Sequence, residues 1–114
     1  AAGRGRRIPI ADKIFDFFKD AYERSTGKYI FSDKKGKGIS YNQYRGRYWD
    51  PVMDMLKLNH LPGDGRHTCA SLLDDKDVNA KIKKLILGHS SSDVTERVYT
   101  HKTLEQLLEA INLI

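Results

Sequence analysis

Three side chains in this sequence are spaced like the working parts of a site that attacks a phosphodiester. They are Arg66 in Arg66-His67-Thr68, His89 in Leu87-Gly88-His89, and Tyr99 in Val98-Tyr99-Thr100-His101. His89 follows Arg66 by 23 residues and Tyr99 follows His89 by 10. The intervening text is amphipathic rather than low in complexity, so short packed helices can bring the three together. A tyrosine phenol ordinarily ionises near pH 10, at about three units above neutrality, so as a nucleophile it needs help in losing its proton. It also needs the charge it creates on phosphorus to be stabilised. Arginine suits that task because its guanidinium stays charged and grips two phosphoryl oxygens in a fork. Losing one comparable oxyanion donor costs roughly 2.7 to 4 kcal/mol in other enzymes. Histidine can donate to a further oxygen. A covalent phosphotyrosine would conserve the energy of the broken phosphodiester, so the strand could be rejoined without a nucleotide cofactor. No metal is obligatory and no cofactor is expected.

The elements that must position these residues follow from periodicity and punctuation. Residues 6–10, RRIPI, suit a short edge strand in which Pro9 need not donate to a ladder. Ile14, Phe17, Phe18, Ala21 and Tyr22 form one apolar face of a helix over about residues 11–24. Tyr29-Ile30-Phe31 can make a brief strand before a basic turn over residues 32–38. Ser40 and Gln43 make a capping box, opening a helix with Tyr41, Tyr44, Tyr48, Val52 and Met55 along one face and Pro51 as a kink or break. Residues 59–65, NHLPGDG, read as an irregular turn. Helical patterns then cover about residues 67–73 and 78–87; in the second, Val78, Ile82, Leu85 and Ile86 share a face and Gly88 stands where a C-terminal cap belongs. A short helix near residues 93–98 would present Tyr99. Thr103 and Gln106 suggest a second capping box, for a terminal helix bearing Leu104, Leu107, Leu108 and Ile111. There is no internal repeat.

Composition sets the outer limits. The 114 residues amount to one domain or part of one, and 39% hydrophobic against 31% charged residues allows a modest core. Twenty Lys and Arg against 15 Asp and Glu give a net charge of +5, a mild bias toward a polyanionic partner. The lone Cys69 excludes an intrachain disulfide and a cysteine-rich zinc site, and reads as a small buried hydrophobe. His60, His67, His89 and His101 lack compact metal-ligand spacing, so no metal site is expected. No apolar run approaches the roughly 20 residues that span a bilayer, and residues 1–10 lack the apolar core of a signal peptide. No membrane association and a cytoplasmic location are expected. The chain starts at Ala1 in a basic segment, which suggests an excised fragment lacking its natural N-terminal portion.

Taken singly, Arg66 reads as a surface salt-bridge residue and Tyr99 as an ordinary tyrosine among six. Together the residues carry a resemblance. The run R66-H-T-C-A-S-L-L, followed by L87-G-H-S-S-S-D-V-T-E-R-V-Y-T-H, resembles the catalytic C-terminal half of tyrosine recombinases, the phage and transposon integrase family. RRIPI and the G-K-G-I-S-Y-N-Q-Y-R-G-R-Y segment are similar to Gram-positive phage or conjugative-transposon integrases, so the resemblance covers residues 1–114. It implies a mainly α fold with a small β-sheet (α+β), the catalytic-domain fold truncated at its N-terminal side. It further implies that Tyr99 attacks a DNA phosphate to give a 3′-phosphotyrosine and a 5′-hydroxyl, with Arg66 as the family's second arginine and His89 as the histidine of the L-G-H box. In this family a C-terminal element often packs on a neighbouring protomer, so self-association on DNA through the terminal helix is expected.

The pattern departs from the family at three places. The usual motif is H-x-x-R, yet Gly63 stands three residues before Arg66, with His60 nearby but out of register. The family's first arginine would lie upstream of RRIPI, and the lysine that protonates the leaving oxygen has no match among residues 1–7. The isolated fragment is therefore expected to bind DNA weakly and cleave poorly. A non-catalytic DNA-binding module and a type IB topoisomerase-like activity stand as alternatives. Lys34, Lys35, Lys37, Arg45 and Arg47 are either a solvated face or contacts to double-stranded DNA, with Tyr41, Tyr44 and Tyr48 turned to the core. Arg4, Arg6 and Arg7 either touch DNA or belong to a frayed end. His67 is expected to hold local structure by hydrogen bonding, and His101 is left unassigned.

Overall fold

Helix dominates the structure, a computed structural model that describes residues 5–89 and 100–114. The chain divides into two compact units: residues 1–13 with 66–114, and residues 14–65. In order, the helices are α1 (Asp12–Arg24), α2 (Tyr41–Tyr44), a π-helical turn (Arg45–Trp49), α3 (Asp50–Leu56), α4 (Asp64–Asp75), α5 (Ala80–Leu87) and α6 (His101–Ile111).

The first unit holds the core. Leu73 of α4 and Leu107 of α6 are 0% and 1% exposed, and Ile82, Ile86 and Ala110 close around them. Cys69, Val78, Leu85, Leu104, Ile111 and Ile114 pack at the margin. The faces read from periodicity on α5 and α6 are therefore the faces that pack, except that Leu108 stays 44% exposed. Asn79 caps α5, its side chain accepting from the Lys81 N–H at 2.8 Å. A salt bridge of 2.6 Å from Lys83 to Asp74 ties α5 to α4. The N–H of Asp12 donates to the Asn112 side chain at 2.8 Å, fastening the start of α1 to the chain just beyond α6 beside buried Ala11. Helix α6 begins earlier than expected. Its N-cap is Thr100, which accepts from the Thr103 N–H at 3.1 Å and shares a hydroxyl bond with Thr103 at 2.8 Å, so Thr103 lies inside the first turn.

Burial leaves Cys69 half-covered against this core and pushes its thiol pKa up, because the low-dielectric surroundings disfavour the thiolate. Alkylation of Cys69 by iodoacetamide above neutral pH should accordingly run slower in the folded protein than in urea. Linkage runs the same way. Ionisation is easier in the unfolded chain, so this group's contribution to stability is complete at low pH and falls as pH rises through the thiol range. Equal labelling rates in the two states would contradict the assignment.

In the second unit, residues 14–65, none of the residues is buried. Helix α1 forms as its pattern predicts, yet the face expected to be covered is largely bare: Phe17 is 76% and Tyr22 69% exposed. Phe18 meets Phe31 edge-on, with centroids 5.7 Å apart. Periodicity shows which face seeks cover without supplying the cover. Ser40 and Gln43 close the expected capping box, with bonds of 3.2 and 3.0 Å in the two directions. Tyr41, Tyr44 and Tyr48 do not face a core; all three are exposed, and Tyr44 leans on Tyr48 and Trp49. The break expected at Pro51 is taken up just before it. The Asp50 N–H donates five residues back to the Arg45 carbonyl, and the widened turn delivers the chain to Pro51 at the start of α3, where its missing N–H is tolerated.

The strands and small sheet expected from the sequence are not found among the described residues. Residues 6–10 and 29–31 lie outside regular structure, and the pairing present is an isolated antiparallel bridge between Ser32 and Gly38. A strand exists through its partner; with Pro9 contributing no N–H, residues 6–10 acquire no ladder here.

Candidate functional site

Arg66 sits in the first turn of α4, a helix that starts at Asp64 and so reaches further toward the N-terminus than its apolar pattern suggests. Residues 60–64 form a structured entry to it. The Asp64 carboxylate accepts the Leu61 N–H at 3.0 Å and approaches His60 Nδ1 at 3.3 Å, while the Trp49 indole donates to the His60 carbonyl at 2.7 Å. Arg66 is exposed, and among the described residues no carboxylate pairs with it.

His89 follows α5 directly. Gly88 takes the left-handed conformation, φ +71°, and the N–H groups of Gly88 and His89 converge on the Lys84 carbonyl at 2.8 and 3.1 Å. This is the C-terminal cap read from the sequence, and it fixes the backbone of an exposed imidazole. Helices α4 and α5 share the core through Leu73, Ile82 and Ile86, so the elements carrying Arg66 and His89 belong to one packed unit. Tyr99 and the short helix expected near residues 93–98 lie outside the described residues, as does Arg4.

The other histidines have local roles. Exposed His67 contributes its carbonyl, which accepts from Ser71 Oγ at 3.2 Å. His101 Nε2 meets Glu105 at 2.9 Å one turn along α6, in an exposed pair of little energetic weight. No group of three or more His, Cys, Asp or Glu among the described residues could hold a metal ion. No helix among them is long and apolar enough to cross a membrane.

The basic residues of the second unit separate into two kinds. Lys34, Lys35 and Lys37 stand exposed on a turn held from inside: the Asp33 carboxylate accepts the Lys35 and Lys37 N–H groups at 2.8 and 2.9 Å, and Gly36 supplies φ +80°. Asp33 belongs to the turn expected over residues 32–38, and an aspartate opening a Gly-containing turn is itself a turn signal. Arg47 is exposed, whereas Arg45 is half-buried, its Nε 3.4 Å from Asp50. Lys35→Ala or Arg47→Ala should weaken binding to every duplex sequence and flatten the salt dependence by about one unit per lost phosphate contact. Arg45→Ala should do less, because its charge is already partly answered by Asp50. Titrations across a salt series measure this, and unchanged slopes would remove these residues from any DNA surface.

Comparison with known proteins places these residues in a family. Residues 2–106 match the Phage integrase family. Tyrosine recombinase XerC of Corynebacterium glutamicum is 36% identical over 86 residues, which cover 75% of this chain and 27% of the relative. The chain thus spans about a quarter of the length of that curated relative. No solved structure gives a significant match.

Proposed function

Because the chain belongs to the phage integrase family, we propose that it is the C-terminal portion of the catalytic domain of a tyrosine-type site-specific recombinase acting on double-stranded DNA. The observation that carries this reading is the extent of the family match, which takes in Arg66, His89 and Tyr99 together. Tyr99 Oη attacks the scissile phosphorus as its proton leaves, the bond to the 5′ oxygen breaks, and that oxygen takes up a proton to become a 5′-hydroxyl. The 3′-phosphotyrosine so formed is reversed by attack of a 5′-hydroxyl, which rejoins a strand. Arg66 grips phosphoryl oxygens and His89 donates to another, offsetting the charge that develops in the transition state. An exposed arginine with no carboxylate partner among the described residues and an imidazole on a fixed backbone are suited to these tasks. Exposed Lys34, Lys35, Lys37 and Arg47 hold the duplex through its backbone without reading sequence. Self-association on DNA through α6 belongs to the same proposal. It falls to the exposed part of α6 that includes Leu108, since Leu107 and Ala110 are used internally.

A suicide duplex nicked near the cleavage site tests the reading. The full-length protein should form a covalent adduct that Tyr99→Phe abolishes. DNA binding without any adduct would instead support a non-catalytic binding module, the reading that Gly63 favours by placing no side chain three residues before Arg66. Relaxation of supercoiled DNA lacking a recombination site would point to topoisomerase action.

A further inference from the structure

Gly88 meets a second demand besides its left-handed backbone. A Cβ placed there would overlap Arg6 Nη1 and crowd its Cζ, so the Arg6 guanidinium occupies space that a glycine leaves open. From that position Arg6 Nη1 donates to the Leu87 carbonyl at 3.3 Å, across 81 residues of sequence. This carbonyl is among the last four of α5, which have no acceptor role inside the helix, and it lies at the end where the helix dipole favours a cation. The turn before His89 is therefore held from two directions. The Lys84 carbonyl gathers the N–H groups of Gly88 and His89 from within, and Arg6 clamps Leu87 from outside. Leu87 is itself buried, so the clamp acts on an anchored residue. Neighbouring Arg7 is exposed, which distinguishes the two arginines of RRIPI.

We infer that Arg6 is a positioning residue for His89, its guanidinium setting the Leu87-Gly88-His89 turn so that the imidazole meets the phosphate in a fixed orientation. The inference rests on the phosphate role proposed for His89. It gives Arg6 a task inside the protein rather than on DNA or in a frayed end, and it ties residues 5–10 to the site.

The test compares full-length protein with Arg6→Ala and Arg6→Lys on a nicked suicide duplex recovered from a random-sequence pool by binding. At saturating DNA, Arg6→Ala should slow adduct formation by about tenfold or more, as small misplacements of a reacting group do. Its DNA Kd should stay within about twofold, the result for a group that acts on the transition state rather than on uniform binding. NMR signals of Gly88 and His89 should move while those of Leu73 and Leu107 stay. Arg6→Lys should recover part of the rate, because an ammonium can donate to Leu87 without lying flat on Gly88. An adduct rate unaffected by Arg6→Ala, unmoved His89 signals, or a loss wholly explained by weaker DNA binding overturns the inference alone. Absence of adduct from the unsubstituted protein overturns the recombinase reading and the inference with it.

Discussion

Leu73→Ala is expected to destabilise the unit built from residues 1–13 and 66–114 by about 2 to 5 kcal/mol. Leu73 has no exposed surface and lies where α4, α5 and α6 share a single apolar cluster, so the cavity left by truncation has few ways to collapse. Small domains hold only about 5 to 15 kcal/mol in total, and a loss of this size removes much of it. Leu108→Ala on α6 is the matched control. At 44% exposure it should change stability by about 0.5 kcal/mol or less. Urea denaturation of the two variants measures the difference, and equal midpoints would show that the cluster around Leu73 is not the seat of stability.

Gly63→His carries the second large effect, and its sign is a gain. The position stands three residues before Arg66, where the family pattern has a histidine, and nothing lies within 4 Å of a Cβ built there. Gly63 has no positive φ, so a Cβ there meets neither a clash nor backbone strain. A positioned general acid or base is worth about 10² to 10⁴ in rate. Gly63→His should therefore raise the rate of adduct formation by about a hundredfold, with DNA affinity little changed. Gly63→Ala separates the imidazole from any stiffening of the backbone and should give almost none of the gain. Equal rates in the histidine and alanine variants would mean that this position has no part in the chemistry.

The helices were legible where sequence patterns are local. The α5 face, the Gly88 cap and the Ser40–Gln43 box each depend on residues within one or two turns, and each appears as read. The start of α6 was misplaced because Thr100 and Thr103 both offer capping hydroxyls, and the pattern alone could not say which of them stood outside the helix. Strands and aromatic burial fared worse because both depend on distant partners. RRIPI has strand-like residues but no ladder, and Tyr41, Tyr44 and Tyr48 have helical spacing but no covering layer. In the candidate site, the cap that fixes His89 was readable from Leu-Gly-His. The Arg6 clamp was not, since 81 residues separate its ends.

The π turn of residues 45–49 also works as a phase shifter. Adding one residue to a helical turn rotates everything beyond it by about 100° about the axis. Tyr41 and Tyr44 upstream therefore keep a different heading from Val52 and Met55 downstream, although the spacing on paper assigns them to a single stripe. Two narrower strips result, angled apart, and a partner that lies flat against one of them turns away from the other. Gly46, with open space where a side chain would be, is the natural residue to remove if the strips are to be brought back into line.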